Sequence, residues 1–211
     1  MDRWFLRKLE LEFGNIGEWQ SFIIAILSTA VYFTPLNVFN LIRHVQFTLL
    51  SFLIPLVGAI LAIIPHEIAH RQVARRYGCL SRFYLYPLGL FLTIIFNLFT
   101  PFFVFAAGYT GISCRAFYSL TDKDDVNGIT AAAGPTTNII LSIIFSVLAA
   151  IGTGGLKTIF AEYSAFNSYV AFFNLLPLGP LDGAKVIKWR VWIWGVLILI
   201  SFGLSYITGV L

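Results

Sequence analysis

The stretch "IIPHEIAHRQVARRYG", residues 63–78, places His66, Glu67 and His70 in the spacing H-E-x-x-H. On a helix, side chains four residues apart share a face, so the two imidazoles can hold one zinc ion. Glu67, one residue along, then stands where it can take a proton from a water molecule. The flanking residues predict a helix: small and apolar residues precede the motif, and "RQVARRY" runs on to Gly78, a suitable stop. Pro65 lacks a backbone donor and clashes one turn back at Leu61, so the helix is expected to kink or open just before His66; Pro55 can act the same way. A plainer reading makes the two histidines interfacial residues beside a basic cluster. Glu67 weighs against it, because an ionisable group at the edge of hydrocarbon is costly and by default functional.

A catalytic zinc centre usually has three protein ligands and an open position. The one other histidine, His44, sits beside Arg43 in a short loop and reads as interfacial. Asp122, Asp124 and Asp125 fall in "TDKDDVNG", the most polar stretch of the chain, and read as a solvated loop; Glu162 opens an apolar run and reads as interface. Asp182 remains, in "FNLLPLGPLDGAKV", at the end of an apolar run and followed by Gly183.

The elements that must position these residues are apolar. Of 211 residues, 58% are hydrophobic and 11% charged, against about 25% charged in an ordinary soluble domain. Runs near the ~20 residues needed to cross a bilayer cover 21–42, 47–69, 88–107, 129–151, 161–178 and 191–210. The chain reads as one membrane-embedded domain, 1–211, with its core at 47–190. Residues 1–20 carry both signs of charge and two tryptophans, and read as a retained interfacial segment, not a signal peptide. The net charge of +4 comes from basic residues beside span ends, which positive-inside retention explains without nucleic acid. Cys79 and Cys114 share no metal-ligand spacing, and nothing in the sequence argues for or against pairing them.

Three elements in order resemble the site-2 protease family of intramembrane zinc metalloproteases: His66-Glu67-x-x-His70, then Gly134-Pro135-Thr136-Thr137-Asn138, then Asn174-x-x-Pro177 leading to Asp182-Gly183. They span more than half of the chain. The resemblance implies zinc ligands at His66, His70 and Asp182, Glu67 as general base, and Asn138 and Asn174 near the substrate path. It implies a transmembrane protein substrate, of the kind in which a pre-cleaved, membrane-tethered regulator is released. Two positions depart from the family pattern. Ala69 stands where glycine is common, and Ala184 stands in the Asp-Gly-Gly ending. The family's glycine–glycine loop, with its substrate-clamping strand, is represented only by "YPLGL", residues 86–90.

Charge tests this arrangement. Arg71, Arg75 and Arg76 follow the histidines, so that end is expected to be cytoplasmic. For Asp182 to reach the same depth, the fourth run must start on that side at Gly134-Pro135 and the fifth must return to it. The run 88–107 must then leave and re-enter one side, turning near 97–101 as a re-entrant or membrane-edge hairpin. This leaves only Arg43 and Lys157 of the 14 basic residues outside. A full crossing at 88–107 instead moves Arg115, Lys123, Lys185, Lys188 and Arg190 outside, and the bias vanishes. The expected fold is an all-α polytopic membrane protein of five to six transmembrane helices with that hairpin after the H-E-x-x-H helix, in the cell membrane with its N-terminus and site cytoplasmic. The rival is a non-proteolytic membrane protein using its metal for transport or stability. A transporter usually shows paired interrupted helices in two related halves, which are not found in this sequence.

Overall fold

The structure is a computed structural model and describes residues 11–44, 46–101, 103–114, 123–179 and 181–210. The first half of the expected interfacial segment, along with Asp122 and Arg115, lies outside the described residues. Helices α1 (Glu18–Ala30), α2 (Val38–Ile42), α3 (Leu49–Arg76), α4 (Pro87–Phe99), α5 (Lys123–Ile151), α6 (Gly154–Asn174), α7 (Asp182–Trp189) and α8 (Val191–Ile207) alternate with two strands, β1 (Leu80–Leu85) and β2 (Gly108–Ser113). The architecture is mostly helical, which fits the all-α expectation, and carries one small two-stranded sheet, β1–β2. Each is only six residues long, and neither "LSRFYL" nor "GYTGIS" alternates apolar with polar residues. Among the described residues three segments are long and apolar enough to cross a bilayer: Glu18–Ile42, Leu49–Arg76 and Asp124–Ile151.

The chain divides into two compact units, Met1–Ala59 with Arg82–Gly111, and Ile60–Ser81 with Ile112–Leu211. In the first unit the apolar run 21–42 is not one helix. Thr34 is extended ahead of Pro35, as the residue before proline prefers. Asn37 then caps α2 by accepting from the amides of Phe39 and Asn40. Phe22 stacks on the buried Phe83 at 4.3 Å.

The run 88–107 folds as a hairpin. It leaves β1 as helix α4, turns at Thr100 and Pro101, and comes back extended into β2, with the Tyr86 amide donating to the Ala107 carbonyl at 2.9 Å. The returning backbone pairs with side chains of α4. Asn97 donates to the Val104 carbonyl and accepts from the Val104 amide at 2.9 and 2.8 Å, and Thr93 accepts from the Ala106 amide at 3.0 Å. Thr93 and Asn97 are one turn apart on α4, so one helix face supplies the partners that extended backbone requires.

In the second unit α3 runs unbroken through Pro65, so the helix does not open before His66; the same holds at Pro55. Gly78, with φ +72°, closes it, and the Cys79 amide donates to the Ala74 carbonyl, the stop expected from sequence. Helix α5 begins at Lys123, eleven residues before the start expected at Gly134-Pro135, and Pro135 lies inside it. Asp124 and Asp125 are accordingly not in a loop but in its first turn, where carboxylates meet the positive end of the helix dipole. Cys79 and Cys114 form a disulfide beside Ala74 and Val126. Ser164 of α6 bonds Ser142 and Ser146 of α5 at 3.0 and 2.7 Å, hydroxyl contacts of the kind that join helices where no water competes. The short α7 is tied to the start of α5 by Trp189, whose indole nitrogen donates to Asp125 at 2.5 Å and whose ring occupies the space above Gly128.

Candidate metal centre

His66 and His70, one turn apart on α3, present their rings edge to face at 4.6 Å. Asp182, first residue of α7, completes the group: its Oδ2 lies 3.2 Å from Nε2 of His66 and 3.0 Å from Nε2 of His70, and the two Nε2 atoms are 3.0 Å apart. His66, Glu67, His70 and Asp182 are 2%, 5%, 5% and 8% exposed, so water does not solvate these groups freely. Among the described residues this is the group of histidines and carboxylates that could hold a metal ion.

The far side of each ring decides what the near side offers. The Thr130 carbonyl, 2.7 Å from Nδ1 of His70, can only accept, so that nitrogen carries the proton. Nδ1 of His66 meets Oδ1 of Asn138 at 2.5 Å. The other end of that amide donates to the Ala62 carbonyl at 2.8 Å, which fixes its oxygen toward His66. In the neutral form each imidazole, with its proton on Nδ1, turns a lone pair toward the Asp182 carboxylate. Three acceptors packed this closely repel unless a cation lies among them.

The donor set suits zinc. Ligand atoms bonded tetrahedrally at about 2.0–2.1 Å stand roughly 3.3 Å from one another, close to the 3.0–3.2 Å seen here. Both histidines also donate their second ring nitrogen to an oxygen, the usual support of a metal-bound imidazole. Lys185, 3.6 Å from the other oxygen of Asp182, holds that carboxylate from outside.

Two glycines make the approach possible. A Cβ on Gly134 would collide with Nε2 of His70 and lie 2.6 Å from Nε2 of His66, so α5 passes its bare backbone against the two imidazole nitrogens. A Cβ on Gly183 would strike the Leu175 carbonyl, which explains why glycine follows Asp182. Sequence reasoning gave Gly134 the role of a helix start; in the folded chain its service is the absence of a side chain.

Of the two asparagines expected near a substrate path, Asn138 touches His66, whereas Asn174 donates to the Val170 carbonyl of its own helix at 2.9 Å. His44 is exposed, with φ +50°, and takes no part in the ligand group. Two further contributors were not singled out from sequence. The Thr130 carbonyl is backbone and leaves no trace in residue type. Asn167, an amide within an apolar run, is a signal that could have been read, because such a group must find a partner.

Against known proteins, the chain is 34% identical over 175 residues to Putative zinc metalloprotease MJ0611 of Methanocaldococcus jannaschii, covering 82% of this chain and 84% of the relative. It is 36% identical over 72 residues to Putative zinc metalloprotease YwhC of Bacillus subtilis, covering 28% of this chain and 32% of that protein. No protein-family model matches the chain, and no solved structure does. The long match to the archaeal protein agrees with the resemblance read from the three motifs, and the chain belongs to the zinc metalloprotease family that this relative represents.

Proposed function

We propose that the protein is an intramembrane zinc metalloprotease of the site-2 type, hydrolysing peptide bonds of transmembrane substrates, with pre-cleaved, membrane-tethered regulators as the substrate class. The observation that carries this reading is the convergence of two imidazole nitrogens and one carboxylate oxygen within 3.2 Å, each ring anchored from behind, with Glu67 buried between the two histidines in sequence. His66, His70 and Asp182 hold the metal. Zinc, when bound, supplies Lewis-acid activation of water and of the scissile carbonyl. Glu67 accepts the proton of the attacking water and delivers it to the leaving amine nitrogen, so no covalent enzyme intermediate is required. Asn138 keeps His66 in the ligating tautomer, and Asn174 is the candidate for contact with the substrate backbone.

The three long apolar segments support a multi-pass position in the cell membrane, and in this reading the segment 88–107 lies at the membrane edge as the element that guides substrate. The cytoplasmic placement of the N-terminus and the site rests on the charge bias. The Cys79–Cys114 disulfide sets it a condition, because on that side the bond persists only where the cytosol tolerates disulfides, as in hyperthermophiles.

The test is zinc content and cleavage of a single-span test substrate measured together on purified protein. Glu67→Gln is expected to keep zinc and to lose cleavage by about 10²–10⁴-fold, the contribution of a positioned general base. Undiminished cleavage by a zinc-loaded Glu67→Gln protein sinks the mechanism.

A further inference from the structure

Behind the ligand group a chain of side-chain amides continues away from the metal. Asn138 and Asn167 are both fully buried. The Asn138 amide nitrogen donates one hydrogen to the Ala62 carbonyl at 2.8 Å and the other to Oδ1 of Asn167 at 2.9 Å. The Asn167 amide nitrogen in turn donates to the Tyr163 carbonyl at 2.9 Å, one turn back on α6.

The polarity of this chain is forced at both ends. A backbone carbonyl only accepts, so the atom of Asn167 facing Tyr163 is nitrogen and the atom facing Asn138 is oxygen. By the same rule at Ala62, Asn138 shows nitrogen to Ala62 and Asn167 and oxygen to His66. His66 must then carry a proton on Nδ1, which in the neutral ring leaves Nε2 free as a ligand. Rotating Asn138 would set its oxygen against the Ala62 carbonyl and the oxygen of Asn167 together.

We infer that Asn167 is a positioning residue of the metal centre: by accepting the second N–H of Asn138 it locks the Asn138 amide, and through it the His66 tautomer that presents Nε2 to zinc. Asn167 touches neither metal ligand nor reacting atoms; it acts from α6 through α5 on α3. The inference rests on the zinc reading above. Without Asn167, one Asn138 hydrogen has no acceptor in a dry interior, and the amide is released to turn away from His66.

The rival role for Asn167 is helix adhesion, since polar pairs between buried helices hold them together in any case. Ser164 supplies the control, as its hydroxyl joins the same two helices through Ser142 and Ser146 and bonds neither asparagine. The experiment measures zinc affinity of the purified full chain by chelator competition, with thermal stability alongside. Asn167→Leu is expected to bind zinc about tenfold more weakly, the lower end of the loss seen when a ligand's supporting partner is removed. Asn167→Asp should bind near wild type, because a neutral carboxyl donates to Tyr163 and accepts from Asn138 in the same places. Ser164→Ala should lose stability without losing affinity.

Wild-type affinity in Asn167→Leu, or an equal loss of affinity in Ser164→Ala, overturns the proposal. If Asn167→Leu does not fold, ¹⁵N spectra of histidine-labelled, zinc-stripped wild-type protein still decide: His66 with its proton on Nδ1 supports the relay, and a proton on Nε2 refutes it. A wild-type protein that binds no zinc defeats the zinc reading itself, whereas wild-type binding with no effect of Asn167→Leu defeats only this inference.

Discussion

Gly134→Ala offers the sharpest test, because local and tertiary arguments predict opposite signs. Judged by helix propensity alone, replacing a glycine inside a helix by alanine stabilises by about 0.5–1 kcal/mol. In the folded chain the new methyl would collide with Nε2 of His70 and lie 2.6 Å from Nε2 of His66. Non-bonded heavy atoms settle at roughly 3.5 Å, so at least one ligand nitrogen has to withdraw by about 0.9 Å. Zinc sites tolerate departures of only about 0.2 Å from their bond lengths, and a shift of about 1 Å at a reacting centre costs on the order of 10²-fold. Gly134→Ala is therefore expected to weaken zinc binding by about 10²-fold or more in chelator competition, with cleavage falling in parallel. Gly195→Ala and Gly203→Ala in α8 are the controls, since a Cβ at either meets nothing within 4 Å; both should leave zinc affinity unchanged. A Gly134→Ala protein with wild-type affinity and cleavage would refute the close passage of α5 against the ligands.

Three further expectations follow from other parts of the molecule. Gly183→Ala drives a methyl into the Leu175 carbonyl beside Asp182 and should lower zinc content, read by metal analysis of the purified protein, while Ala184→Gly should not. The Cys79–Cys114 bond closes a separation of 35 residues; the loop-entropy account puts its contribution near 4 kcal/mol. Reduction, or the double serine variant, should thus lower the thermal midpoint without abolishing zinc binding, and an unchanged midpoint would count against the disulfide. In a background with both native cysteines replaced by serine, Lys157→Cys should react with an impermeant thiol reagent added outside intact cells and Lys188→Cys should not; the reverse pattern would invert the orientation.

Much of the site was legible in residue order. His66 and His70 could be placed together because helical spacing alone puts them on one face, and Asp182 followed once the other carboxylates had been assigned elsewhere. For 88–107 a single depth requirement and the basic residues led to the expectation of a re-entrant hairpin; the structure has a helix followed by an extended return there. Less legible were the elements whose form depends on distant partners. Strands β1 and β2 exist by pairing with each other across the hairpin, and the break at 34–37 depends on Asn37 as much as on Pro35. Asp124 and Asp125 looked like loop because their charge was read without the helix that begins under them.

The sequence by itself determined the residue types of the candidate metal group, the spacing of its histidines along α3, the apolar character of the chain and the stop at Gly78, since each depends on near neighbours or on composition summed over a run. Only the tertiary structure decided that Gly134 is a point of contact, that Cys79 meets Cys114, and that Asn167 stands behind Asn138. These depend on which surfaces of α3, α5 and α6 come within bonding distance. Close packing rewards an absent methyl or a turned amide only after the helices have met.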